Sequence, residues 1–346
     1  MRPAVFAAAL LGVLAIAPTA LAQQRKMERV SIEHLRHNAS PLERPFHDTI
    51  LKRPVRLTAF DNSAVYTTPD GYQIRVYVTN LYSWDPAANQ DLVNFFSSIL
   101  HGPELSRLTI FVKTPAEMQQ ICGGQAAACY SPAQQSMIIA GETIGGIPPE
   151  EVITHEYGHH VASNRNNAPF DAGDWGPKYW ATVMNICANV RAGALFPGDE
   201  GANYQRNPGE GWAEAFRAWN EQHLGWTSIG WIVVDPFFIP DATALAAVQA
   251  DVTRPWRGAS VATLSGRLRR NQARVYRISP FDGWMTARVS GNARVSFLNS
   301  GGRVVTRPGR SIRRLVCGDR RPLLIKVVGL GATRFALRVT YADLTS

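Results

Sequence analysis

Beyond residue 22 the chain has no apolar run approaching the roughly 20 residues that a bilayer span requires, so no membrane segment is expected in the mature protein. Cysteine is scarce. The four thiols, Cys122, Cys129, Cys187 and Cys317, lack the paired spacing of a thiolate metal site, which excludes a cysteine-ligated zinc. No repeat of solenoid length is present. Acidic side chains nearly vanish from residues 258–346, with 3 Asp/Glu against 17 Lys/Arg, whereas residues 1–257 carry 24 against 19. Two compositions imply two domains.

What remains is an ordinary folded composition, 45% hydrophobic and 18% charged over 346 residues, enough for two cores. Arg2, the run "AVFAAALLGVLAIA" and the small-x-small site Ala20-Leu21-Ala22 predict a signal peptide over 1–22. Its alternative is an uncleaved anchor, for which the run is short. The mature protein is therefore expected to be secreted, extracellular or periplasmic. Export permits disulfides. Cys122 and Cys129 flank the turn-forming "GGQAAA" and are expected to pair; Cys187 with Cys317 would join the two domains, with buried free thiols as the alternative.

A polar leader or propeptide fills 23–55. Over 56–257, "YQIRVYVT", "LTIFVK" and "SMIIAG" read as strands, and "NQDLVNFFSSIL" recurs at helical spacing. Pro148 and Pro149 open a further helix. Another is expected from about Lys178 to Ala194, another from Asn207, and a last one behind Asp241. Over 258–346 the texture becomes short alternating runs between glycines, "RVYRIS", "TARVS", "ARVSFLN", "RVVTR", "LLIKVVG" and "RFALRVTY", the rhythm of a β-sandwich.

The stretch "VITHEYGHHVA" places His155 and His159 four residues apart, on one helical face, where both imidazoles reach a single ion. Glu156 swings partly toward the same opening. This is the H-E-x-x-H arrangement of zinc peptidases. As a chance pattern it would be a solvated or core-satisfied cluster, which the apolar flanks make costly. His160 is turned away and reads as a supporting or surface residue. Two histidines leave a catalytic zinc short of a third protein ligand. The metzincin extension fails at Ala162 and Arg165, and a thermolysin-like spacing falls on Tyr179. Downstream, "NPGEGWAEAFR" offers Glu210 and Glu214, also four apart. The alternative for Glu210 is the third residue of a capping box behind Asn207, and for Glu214 a solvated helix charge. Asp171 and Asp174 are further carboxylates, ranked below Glu210.

"HEYGH" followed by "EGWAEAFR" resembles the gluzincin peptidases, above all the lethal-factor type of catalytic domain, over residues 70–225, with Gly211 standing where that pattern has an aromatic. The resemblance implies an α+β zincin-like metalloprotease domain ahead of the small all-β sandwich. It implies one catalytic Zn²⁺ held by His155, His159 and Glu210, with Glu214 supporting a histidine ligand, Glu156 as general base and Tyr204 donating to the oxyanion. Glu214 is the fallback ligand and a packing role the alternative for Tyr204. The activity implied is hydrolysis of a peptide or protein substrate that adds as a strand along "SMIIAG", taken as a sheet edge. Residues 258–346 resemble, by strand rhythm, the pre-peptidase β-sandwich domains of secreted bacterial proteases. Their arginines suit an anionic cell-surface polymer or merely line a solvated face, and no aromatic interleaving marks specific nucleic-acid binding. The rival reading is an inactive zincin-like binding protein that works through this basic domain.

Overall fold

The computed structural model describes residues 24–38, 47–55, 61–124, 126–226, 234–317 and 322–343. The expected signal peptide at 1–22 and part of the leader lie outside the described residues. After helix α1 (Ile32–Asn38), strands β1 (Asn62–Thr67), β2 (Gln73–Val78), β3 (Thr109–Lys113), β4 (Ala128–Ser131) and β5 (Ser136–Ala140) form a mixed sheet in the order β1-β2-β3-β5-β4. The three inner strands run parallel and the outer two antiparallel to them. A parallel pair needs a crossover. Helix α2 (Pro86–Phe96), its first N–H groups bound by Asp85, supplies the one between β2 and β3. Helix α3 (Pro115–Cys122) follows β3 behind a Thr114–Glu117 capping box.

Helices α4 (Pro149–Ser163), α5 (Ala172–Trp175), α6 (Lys178–Val183), α7 (Ile186–Arg191), α8 (Pro208–Leu224) and α9 (Ala242–Thr253) complete this mixed α/β part. Strands β6 (Ser260–Leu268), β7 (Ala273–Ile278), β8 (Gly283–Val289), β9 (Ala293–Leu298), β10 (Ser311–Val316), β11 (Leu323–Gly329) and β12 (Thr333–Tyr341) form a β-rich part of two antiparallel sheets, β10-β8-β12-β6 and β7-β11-β9. Alternate residues of both sheets, among them Met285, Leu337 and Val339 from one and Phe297, Ile325 and Val327 from the other, share one apolar cluster. The period of two in the sequence is thus the inward face of each strand.

Three expectations are corrected. "SMIIAG" is no edge: β5 lies between β3 and β4 and is buried along its whole length, as an uninterrupted apolar run behaves when both faces are covered. The single helix expected over 178–194 is two, α6 and α7, because Asn185 takes a left-handed conformation between them. "RVVTR" forms no strand beyond an isolated bridge from Val304 to Leu298.

The two parts meet through α6 and α7. Both disulfides are formed, Cys122–Cys129 within the first part and Cys187–Cys317 between α7 and the residue after β10. Lys178 Nζ donates to Asn167 O (3.2 Å), Ala168 O (2.8 Å) and, across the junction, Asp282 O (2.7 Å). Among the described residues no helix is long and apolar enough to cross a membrane.

Candidate metal centre

Helix α4 starts with Pro149 at its first position, where the missing N–H costs nothing, and carries Glu150 and Glu151 in its first turn, complementing the helix dipole. Every residue from Pro149 to Ala162 is buried, so the helix runs between the sheet and α8 with no solvent face. The side chain of Asn207 accepts from Gly209 N–H to start α8, and Gly225 closes it in the left-handed conformation. The two helices touch at Gly158: a Cβ there would lie 2.9 Å from Ala213 Cα. Trp212 Nε1 also donates to Gly158 O at 2.7 Å. This contact places His155 and His159 opposite Glu210 and Glu214, each pair one helical turn apart. At Gly211, where the gluzincin pattern has an aromatic, a Cβ would lie 2.3 Å from the ring of Phe238, which occupies that space instead.

His155 Nε2 and His159 Nε2 lie 3.2 Å apart, and Glu210 Oε2 is 3.3 Å from the first and 3.4 Å from the second. A fourth donor comes from the leader: Asp48 Oδ2 lies 3.1 Å from His159 Nε2 and 3.5 Å from His155 Nε2. All four residues are buried. An ion with bonds of about 2.0–2.2 Å to four tetrahedral donors sets them roughly 3.3–3.6 Å apart, close to the 3.1–3.5 Å between these atoms. Two imidazoles and two carboxylates in the interior therefore fit a divalent cation. The orphaned atoms agree, since Glu210 Oε1 and both carboxylate oxygens of Glu156 make no hydrogen bond despite being buried.

Glu214 is no solvated charge. Its Oε1 meets His155 Nδ1 at 2.6 Å, so a proton on Nδ1 leaves the Nε2 lone pair facing the cluster. Behind Glu214 the buried Arg217 donates Nη2 at 2.8 Å, and also binds Glu151 (2.8 Å) and Glu221. Burial works against the ionised form of Glu214, but Arg217 and His155 hold its pKa down to about 2. Tyr204 donates its hydroxyl to Asp48 Oδ1 at 2.5 Å, and its ring stacks on His47 with centroids 4.1 Å apart. His160 is buried rather than at the surface, bound to Tyr130 Oη and Glu104 O at 2.9 Å each. The other carboxylates considered do not arrive: Asp171 caps α5 through Gly173 N–H, and Asp174 packs against Gly198. Glu210 does not close a capping box, because its carboxylate faces the imidazoles.

Electrostatics state the demand for a cation from another side. Burial favours neutral imidazole at both ligands. Even so, Asp48 and Glu210 raise His155 well above the usual range and, with Glu210 leading, lift His159 to about 10. Burial first, then Asp48, raises Glu156 well above ordinary carboxylates. Burial with Glu210 and Asp48 lifts Glu200 to about 8. The buried carboxylates thus favour positive charge at the imidazoles. Since only neutral imidazole ligates, metal binding at neutral pH should expel protons and tighten as pH rises. Calorimetry in buffers of different ionisation enthalpy checks this; a heat independent of buffer would refute it.

Asp48 was not foreseen, because a single aspartate in "PFHDTI" belongs to no spacing pattern. No family model matches the chain, and no curated protein matches it. Among solved structures, the Yersinia pseudotuberculosis-derived mitogen (YPM) is similar over 25% of this chain and 90% of its own length, at 11% identity and a TM-score of 0.20. A likeness that loose carries neither fold nor function.

Proposed function

We propose that the chain is an exported zinc-dependent endopeptidase on a zincin-like scaffold of the gluzincin type. One observation carries the reading: His155 Nε2, His159 Nε2 and Glu210 Oε2, from two helices, stand at the corners of a triangle with edges of 3.2, 3.3 and 3.4 Å. These residues would hold the ion, with Glu214 fixing the His155 tautomer. A bound Zn²⁺ supplies Lewis acidity, which acidifies water and polarises a carbonyl oxygen.

The remaining chemistry belongs to the chain. Glu156, whose electrostatic neighbours are Asp48, His155, His159 and Glu210, takes the proton of the attacking water and returns it to the leaving amine nitrogen. The Tyr204 hydroxyl is the candidate donor to the oxyanion. With β5 interior, the strand available to an extended substrate is β4, the outer strand on the α4 side. Export agrees with two formed disulfides, which persist in oxidising compartments. A purely structural zinc site has no use for Glu156 carboxylate oxygens left unbonded beside the ligands.

Metal analysis of the purified chain should return one equivalent of zinc, lost in His159→Ala. Hydrolysis of casein should be abolished by a chelator and restored by zinc. A chain that retains no zinc, or that cleaves casein unchanged in chelator, would sink the reading.

A further inference from the structure

In the described structure the chain is its own occupant of this site. Residues 47–51 lie along the outer edge of β4, joined to it by backbone hydrogen bonds and one isolated bridge. Ala127 N–H donates to His47 O (2.7 Å), Tyr130 N–H to Thr49 O (3.1 Å), and Leu51 N–H to Tyr130 O (2.7 Å), with Ile50 and Tyr130 bridged in parallel. Ile50 N–H reaches Glu200 Oε2 at 3.3 Å. At the far end, Gln134 accepts from Val55 N–H at 2.5 Å and donates to Val55 O at 2.9 Å. This pairing delivers Asp48 to the centre as a fourth donor, with Oδ2 toward both imidazoles and Oδ1 on the Tyr204 hydroxyl.

We propose that residues 47–55 form an intramolecular latch that keeps the centre closed, an inference that rests on the zinc peptidase reading. A catalytic zinc needs an open position, whereas a site with four protein donors is closed. Asp48 removes that position, engages the hydroxyl that would meet an oxyanion, and belongs to a segment that fills the sheet edge a substrate would use. Three functions of the site are blocked by one nine-residue stretch. The stretch is held by three backbone hydrogen bonds to the edge of β4, which a competing extended peptide can replace, and by side-chain bonds to Tyr204, Glu200, Gln134 and the two imidazoles. Opening requires that residues 47–51 leave β4 and that Asp48 release Tyr204 and the imidazoles, whereas the three donors of α4 and α8 belong to other elements.

The test uses the full chain, Asp48→Ala and the near-isosteric Asp48→Asn, each loaded with Co²⁺ and titrated with azide while the visible spectrum is read. Azide should leave the parent spectrum unchanged and shift that of the variants. A chelator should strip Co²⁺ from the variants at least about tenfold faster, given that losing even a supporting partner of a ligand costs about 10–100-fold in affinity. Zinc-loaded variants should cleave casein at least about tenfold faster than the parent. If Asp48→Ala does not fold, Asp48→Asn gives the same readings. Azide shifting the parent spectrum, or equal chelator rates in parent and variants, would overturn the latch. Variants that open to azide yet leave casein intact would uphold the latch and defeat the peptidase assignment. No Co²⁺ bound by any of the three chains would defeat both.

Discussion

Glu156→Gln is expected to lower peptide hydrolysis by about 10²–10⁴-fold, the range for losing a general base, while zinc stays at one equivalent per chain. The substitution keeps the volume of a fully buried side chain and removes its capacity to take a proton. Glu156 contributes no donor to the four-residue cluster, so the ligand geometry has no reason to change. The comparison belongs in the Asp48→Ala background, where the site is open. Retained zinc with lost turnover separates a base from a ligand. Unchanged turnover in Glu156→Gln would remove the residue from the mechanism altogether.

The second large effect falls on Arg217, which touches neither the cluster nor any expected substrate. Its guanidinium is fully buried and binds Glu151, Glu214 and Glu221. Three carboxylates converge on this one guanidinium. Burial, only partly offset by Arg217 and reinforced by Glu221, accordingly pushes Glu151 up to about 7. Arg217→Ala removes the guanidinium that Glu151, Glu214 and Glu221 share in the interior, and removing one partner of a buried ion pair costs about 3–5 kcal/mol. Arg217→Lys should recover little, because a compact ammonium cannot reproduce the planar fork that serves several carboxylates at once. Urea unfolding of the zinc-free proteins measures this directly. A loss below about 1 kcal/mol would mean that water or proton uptake compensates the three acids. Zinc affinity should fall as well, by about 10–100-fold, since Glu214 loses the group that aims it at His155 Nδ1.

Both predictions depend on α4 and α8, the parts of the molecule most legible in the sequence. Pro149 and the four-residue spacing of His155 and His159 mark one helix; Asn207, Pro208 and the matching spacing of Glu210 and Glu214 mark the other. Caps and helical period are local, so they survive without knowledge of the fold. The choice between Glu210 as ligand and Glu210 as cap was not local. It turns on the approach of Gly158 to Ala213, a contact between residues far apart in the chain. The interior place of β5 was hidden for a similar reason: a five-residue apolar strand reads alike at an edge or at the centre until its neighbours are known. β1, with four of its six residues exposed, and the four-residue β4 were too weakly patterned to be expected. The division of α6 from α7 hangs on one residue, Asn185, whose left-handed turn leaves the apolar spacing on both sides intact. Asp48 was least legible of all. It reaches the centre through strand pairing of the leader, and pairing partners leave no period in a single sequence.

The bridge from Cys187 to Cys317 spans a separation of 130 residues and encloses α8, α9 and five strands of the β-rich part. A backbone nick anywhere inside that loop yields two pieces that remain covalently joined. The cut molecule would run at its original mass on a non-reducing gel and fall into fragments only once a thiol is added, so damage to the polypeptide between these cysteines need not shed the arginine-rich tail from the helices that carry the candidate centre.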